Sequence, residues 1–239
     1  MLSIFCPYRN RKHFYDDFIN HYLSKFPTAK IYMLEQFDDN LFMRGQLMNS
    51  IFIYLLKENI DVSNMLFVDL DIRMVNDIDF EGLLNQYKTV VIPYNELLLY
   101  TYEVDGTYVP ENKKSYFLDE PDGGVTLFTK EMFIKCNGFS NLYIGWGRED
   151  SDFVRRNVIT RVPNKMIHLA HTRNQEWLSD AFKRNDANFS NQTDFLYDGY
   201  TQTVAKFRIK EIASNVYHCK IRDISVSKDY KYKDRIAQC

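Results

Sequence analysis

The sequence has no run of about 18 apolar residues, so its 239 residues are expected to contain no transmembrane helix. The opening Met1-Leu2-Ser3-Ile4-Phe5-Cys6-Pro7 is too short and wrongly flanked for a secretory signal, and the expectation is a cytoplasmic protein. Cysteine is sparse. Cys6, Cys136, Cys219 and Cys239 are scattered without paired spacing, which argues against a disulfide framework or a zinc site and reads as free thiols in a reducing compartment. Without a secretory route, the glycosylation sequons at Asn188 and Asn191 carry no weight. Repeats, low-complexity tracts and linkers are missing as well, which leaves a single domain over residues 1–239. The formal net charge of −2 offers no general attraction to nucleic acid. The tail is the exception: from Ala205 onward nine Lys/Arg stand against four Asp/Glu. This basic C-terminal segment, 205–239, is expected to be solvated or to make weak peripheral contact with an anionic membrane.

Aromatic residues, by contrast, are plentiful, with 17 Tyr and 18 Phe. They suit a ring-rich core, or rings that stack on sugars or bases. The stretch around which the chain is organised is Met65-Leu66-Phe67-Val68-Asp69-Leu70-Asp71-Ile72. Its apolar residues favour a strand buried on both faces. Residues two apart on a strand point the same way, so Asp69 and Asp71 are expected on one face where the strand runs out. Two adjacent carboxylates repel and resist burial. A divalent cation would remove that conflict; a solvated strand end would also tolerate it.

The elements around it alternate. Leu2–Cys6 reads as a first strand stopping at Pro7, followed by the basic loop Tyr8-Arg9-Asn10-Arg11-Lys12-His13 and a helix from Phe14 to Phe26. Ala29–Leu34 is a second strand, and Phe42–Lys57 a second helix. Strand–helix–strand alternation indicates an α/β sheet with parallel strands, in which ligands lie beyond the carboxyl ends of the strands. Arg9 and Arg11, then Asp69 and Asp71, fall at such ends. A crevice lined that way suits a diphosphate held by arginines on one side and a metal on the other.

Further on, Lys88–Pro93 is a strand, 94–121 an irregular segment or hairpin, and Asp122-Gly123-Gly124-Val125 leads into a strand ending at Thr129. Paired glycines permit close backbone approach. Trp146 lies between Gly145 and Gly147, just ahead of Glu149, Asp150 and Asp152. These carboxylates either cap a helix or, with the indole ring, hold a sugar. His168 and His171 are three apart, a spacing compatible with metal binding. Residues 177–195 read as a polar helix and Tyr217–Val226 as a closing strand.

Taken in this order, the segments resemble the β-1,4-galactosyltransferase family and its bacterial relatives over roughly residues 3–210. The resemblance rests on Pro-Tyr-Arg-Asn-Arg at 7–11, Phe-Met-Arg-Gly-Gln-Leu-Met-Asn at 42–49, Val-Asp-Leu-Asp at 68–71, Asp-Gly-Gly-Val at 122–125, Asn-Gly-Phe-Ser-Asn at 137–141, Gly-Trp-Gly-Arg-Glu-Asp at 145–150, and the two histidines. It implies a GT-A fold, Rossmann-like, with a mixed, mostly parallel sheet flanked by helices. It implies an inverting, Mn²⁺- or Mg²⁺-dependent transferase that takes a UDP-sugar donor and a glycan acceptor. Pro7, Arg9 and Arg11 would then line the UDP pocket, with Phe42 and Arg44 completing it. Asp71, His168 and His171 would hold the metal, and Asp69 would support the nucleotide. Gly124 would admit the donor sugar, and Trp146 would close over it. Glu149 and Asp150 would bind the acceptor, with Asp150 as general base.

Three departures from the family pattern concern specificity. Arg148 stands where the family's Trp-Gly-Gly-Glu-Asp motif has a glycine, and Ser151 where it has an acid. Pro121-Asp122 replaces aromatic residues ahead of the paired glycines. Galactose and N-acetylgalactosamine both remain open as donor sugars, and a role in bacterial surface polysaccharide synthesis is expected. Two rival readings are a metal-dependent phosphoester hydrolase built on the acidic pair and the histidines, and a non-catalytic glycan-binding protein built on Trp146.

Overall fold

The computed structural model describes residues 1–87, 90–92, 96–102, 108–117, 124–162, 164–169, 180–191 and 198–227. Among these residues the chain forms two sheets. The larger has eight strands in the order β11-β12-β2-β1-β3-β8-β5-β9, where β1 is Leu2–Tyr8, β2 Lys30–Gln36, β3 Asn64–Val68, β5 Val90–Ile92, β8 Val125–Thr129, β9 Ile159–Arg161, β11 Thr203–Ala213 and β12 Val216–Val226. Its centre, β12-β2-β1-β3, is parallel. β8 runs against both β3 and β5, and β11 pairs antiparallel with β12. The smaller sheet has the order β4-β10-β6-β7, with β4 Ile72–Met74, β6 Glu96–Tyr102, β7 Tyr108–Phe117 and β10 Lys165–Leu169.

Every residue of β1 is buried, as a continuous apolar run in the middle of a covered sheet requires. One face carries α1 (Tyr15–Lys25), seated through Phe18 and Tyr22, and α3 (Phe80–Tyr87), seated through Phe80 and Leu84. The opposite face carries α2 (Arg44–Lys57), α4 (Lys130–Lys135) and α5 (Glu149–Arg155). α2 is buried almost all round over its first three turns, so it acts as an internal strut and not as a surface helix. Half of the 18 phenylalanines belong to this second core or pack against it. Phe67 meets Phe5, Phe128, Phe133 and Phe139 within 5.8 Å between centroids, and Phe139 stacks on Phe153 at 4.3 Å. The ring-rich composition is therefore chiefly packing. A further α-helix, α6, is Asp180–Asn191.

Two local expectations are corrected, and one alternative is decided. β1 does not stop at Pro7 but runs to Tyr8 with Pro7 opposite Leu34. The ladder to β3 ends at Phe5, so the donor that proline lacks is not needed on that side. For 94–121 the hairpin alternative holds among the described residues: β6 and β7 pair antiparallel. The acidic pair does not ride on a strand. β3 ends at Val68, and the N–H of Ile72 bonds to the carbonyl of Asp69 at 3.0 Å, closing a tight turn. Past that turn the chain leaves the large sheet and enters the small one as β4.

Candidate active site

That turn between the two sheets places the acidic pair. The N–H of Asp69 donates to the carbonyl of Gly124 at 2.8 Å, which ties the turn to the start of β8. A Cβ at Gly124 would lie 3.6 Å from Oδ2 of Asp69 and 3.5 Å from Ile72. Glycine thus keeps a gap open directly above the turn. Asp122 and Gly123 lie outside the described residues.

Off the strand, the two carboxylates face different partners. Asp71 is almost fully buried, and its Oδ2 accepts from Nη1 of Arg11 at 2.8 Å. The same oxygen lies 3.5 Å from Nε2 of His168, which β10 delivers by pairing His168 with Ile72. Asp69 instead takes Nε of Arg44 at 2.7 Å. Arg44, at the head of α2, also reaches Oε1 of Glu149 at 3.9 Å. Burial opposes its charge, but Asp69, Glu149 and Asp150 together hold its pKa above the ordinary value. Arg44 is therefore the tie between the acidic turn and the head of α5.

Burial is also the main influence on the carboxylates. It pushes Asp69 up to about 6, against the pull of Arg44, with Asp71 adding to the rise. It pushes Glu149 up to about 8, helped by Asp150. Oε2 of Glu149 is buried and has no hydrogen-bond partner, a gap that a sugar hydroxyl could fill. Asp150 accepts the N–H of Ser151 at 2.6 Å on Oδ1, which orients its carboxylate at the first turn of α5.

Of the remaining expected residues, Pro7 is buried in β1 and Arg9 donates to the carbonyl of Asn40. Phe42 is partly buried, and its carbonyl accepts the N–H of Gly145 at 2.8 Å. The loop bearing Trp146 is thereby joined to the segment that precedes Arg44. Trp146 is 45% exposed and rests on Phe182 with 5.3 Å between ring centroids. Gly145 and Gly147 have φ of 81° and 102°, and a Cβ on Gly147 would lie 2.6 Å from the Phe182 ring.

Sequence reasoning missed the partner of this loop, α6. Asn185, fully buried, donates to the carbonyls of Ile144, Trp146 and Gly147 at 3.1–3.3 Å. Asp186 takes Nε of Arg148 at 2.8 Å, and the Arg148 guanidinium covers the rings of Phe182 and Phe189. No local signal marks a polar helix as a loop clamp. The Asn-Gly-Phe-Ser-Asn motif at 137–141 does not reach the site either. Asn49 of α2 clasps both the N–H and the carbonyl of Phe139, so these residues hold the base of the tryptophan loop.

The donor set fits a divalent cation. Two ligands of an octahedral ion at about 2.1 Å lie about 3 Å apart, close to the separation between Asp71 and His168, and a carboxylate with an imidazole suits first-row metals. His171 lies outside the described residues. Among the described residues, three such donors do not gather at any one point.

Residues 107–172 match the family model described as the N-terminal domain of galactosyltransferase. β-1,4-galactosyltransferase 2 of Cricetulus griseus is 29% identical over 164 residues, 66% of this chain and 40% of its own length. β-1,4-galactosyltransferase 7 of Homo sapiens is 31% identical over 65% of this chain and 43% of its own length. A β-N-acetyl-D-glucosaminide β-1,4-N-acetylglucosaminyltransferase of Lymnaea stagnalis is 30% identical over 71% of this chain. The chain thus spans less than half the length of the curated relatives it matches. In structure it resembles the Drosophila β-1,4-galactosyltransferase 7 solved with manganese, UDP-Gal and xylobiose, with a TM-score of 0.65, 20% identity, and 92% and 93% of the two chains covered. That likeness establishes the fold as GT-A, and the family model and the sequence relatives beside it support the β-1,4-galactosyltransferase family for this chain.

Proposed function

We propose that the protein is an inverting, metal-dependent glycosyltransferase that moves galactose or N-acetylgalactosamine from a UDP-sugar to a sugar hydroxyl of a glycan acceptor. The observation that carries this reading is the meeting of Arg11, Asp71 and His168 at one carboxylate oxygen. A neighbouring carboxylate, Asp69, is tied through Arg44 to Glu149 on the acceptor side.

A divalent cation at Asp71 and His168, with His171 as a further ligand, would offset the negative charge gathering on the departing diphosphate. Arg11 and Arg9 add fixed positive charge on the other side of that group. Pro7 and Phe42 line the nucleotide pocket, and Gly124 leaves room for the donor sugar beside Asp69. Arg44 holds the nucleotide and acceptor halves in register. Glu149 keeps its proton past neutrality and so acts as a hydrogen-bonding partner for the acceptor. Asp150 is left to take the proton of the attacking hydroxyl. In one displacement the acceptor oxygen bonds to the anomeric carbon while that carbon's bond to the UDP oxygen breaks, and the electron pair leaves on the diphosphate. Trp146, closing on its glycine hinges, shields the donor from water.

Galactose and N-acetylgalactosamine both stay open because Pro121-Asp122 replaces aromatic residues ahead of the paired glycines, and the curated relatives' names extend to an N-acetylglucosaminyltransferase. We place the reaction in the cytoplasm, in the synthesis of a bacterial surface polysaccharide. The buried free thiols of Cys6, Cys136 and Cys219 support a reducing compartment. The test is a thermal-shift panel of UDP-sugars with and without Mn²⁺, followed by acceptor screening with the best donor. Acceptor-dependent UDP release supports the reading. Phosphoester turnover without acceptor would transfer the site to a hydrolase, and glycan binding without nucleotide affinity would make it a lectin.

A further inference from the structure

The hairpin of β11 and β12 ends the large sheet, and among the described residues only one of its faces is covered. Phe207 and Ile209 turn inward to the α2 layer. On the alternate positions Val204, Lys206, Arg208, Lys210 and Ile212 are all exposed. Across the ladder Lys206 faces Arg222 and Arg208 faces Lys220. Like charges directly opposite each other in a sheet cost stability, and here two such pairs follow in succession. Among the described residues carboxylates offset them only in part. Asp223 pairs with Lys206 at 2.9 Å and lies 4.0 Å from Arg222, and Glu35 lies 4.0 Å from Lys220.

The cations are accompanied by apolar groups. Phe37, at the end of β2, is 53% exposed, and Nζ of Lys220 stands 4.2 Å from its ring centre. Val204 and Ile212, at the two ends of the β11 row, are 42% and 43% exposed. Phe37, Lys206, Phe207, Arg208, Lys220 and Arg222 border one open groove of about 440 Å³. The row from Val204 to Ile212 is roughly 25 Å long at strand spacing. Charge is also segregated along the chain. The surplus of five from Ala205 onward, set against an overall −2, leaves −7 for residues 1–204.

We infer that the outer face of the β11–β12 hairpin docks on an anionic phospholipid surface, with Lys206, Arg208, Lys210, Lys220 and Arg222 on the headgroups and Phe37, Val204 and Ile212 entering the interface. A surface that is cationic in the middle and apolar at its ends matches a bilayer surface. The acidic remainder of the chain orients the protein with this face toward the membrane. β12 runs parallel to β2 with Ile221 opposite Gln36, so the Phe37 end of the face adjoins the loop that leads to Phe42 and Arg44. The inference does not depend on the reaction assigned to the site.

The test is co-sedimentation of the full chain with phosphatidylcholine vesicles, with and without phosphatidylglycerol, at low and raised NaCl. The wild type is expected to partition onto the phosphatidylglycerol vesicles alone and to be released by salt. Arg208→Gln/Lys210→Gln/Arg222→Gln should lose on the order of 100-fold in partition coefficient, at about 1 kcal/mol per cation, with an unchanged melting curve. If that variant melts early, Lys206→Gln/Lys220→Gln reads the same face and should lose about 10-fold or more. Failure of the wild type to bind, or undiminished binding by the folded variant, overturns the inference. So does retention on a soluble polyanion without partition onto vesicles, which would make the face a site for an acidic polymer.

Discussion

Nη1 of Arg11 lies 2.8 Å from Oδ2 of Asp71, the oxygen that His168 approaches at 3.5 Å. The loop after β1 is thereby connected to the turn between the sheets. Arg11 is a third exposed, so losing it should leave the fold intact. Arg11→Ala should weaken UDP binding roughly 10-fold or more, the scale of a charge-assisted hydrogen bond. Calorimetric titration with UDP checks this, and an unchanged affinity would remove Arg11 from the diphosphate site.

Asp150 is assigned the acceptor's proton. Asp150→Asn should keep UDP affinity near normal and lower transfer roughly 10²–10⁴-fold. Steady-state kinetics with saturating donor would show it. A variant of nearly normal turnover would move the base to another group.

Glu149 links pH to stability. Its folded pKa is about 8 against a reference of 4.5. Between those values the folded protein holds a proton that the unfolded chain has released, so this group's contribution to stability falls as pH rises across that window. It is fully present below about 4.5. Glu149→Gln cannot release a proton, so urea melts should show wild-type stability falling relative to the variant from pH 5 to about 8. Parallel profiles would mean that Glu149 titrates normally.

Arg148 occupies the left-handed region at φ 75°, where a non-glycine residue costs about 1–2 kcal/mol. Its contacts with Asp186, Phe182 and Phe189 offset that strain and tether the Trp146 loop to α6. Asp186→Ala should speed hydrogen exchange at residues 145–149 and raise the donor KM several-fold. Global stability should change by less than about 1 kcal/mol, since the pair is partly exposed. Exchange rates equal to wild type would show that Asn185 alone holds the loop.

How much of this was legible in the residues varies with the kind of contact involved. The buried run through Phe67 and the helix from Arg44 stand out because periodicity and composition act locally. That Arg11 and Asp71 share a crevice could be anticipated because both follow strand ends, whereas His168, inside β10, entered only through its spacing from His171 and the family resemblance. The turn at Asp69 could not, since a run of Val-Asp-Leu-Asp-Ile satisfies strand chemistry as well as turn chemistry. Its geometry is decided by β8 and β10, which arrive from far along the chain. The clamp by Asn185 was likewise invisible, because its partners are backbone carbonyls, which carry no sequence identity. The glycine left-handed positions at 145 and 147 were hinted at only by the residue type.

The most direct test of the central claim is calorimetric titration of UDP into the wild type and Asp71→Ala, each with and without Mn²⁺. If Asp71 and His168 hold a cation against the diphosphate, Mn²⁺ should strengthen UDP binding to the wild type at least tenfold, about 1.4 kcal/mol, and leave the folded variant's affinity unchanged. UDP affinity of the wild type that is indifferent to Mn²⁺, or an equal Mn²⁺ effect in Asp71→Ala, would contradict it.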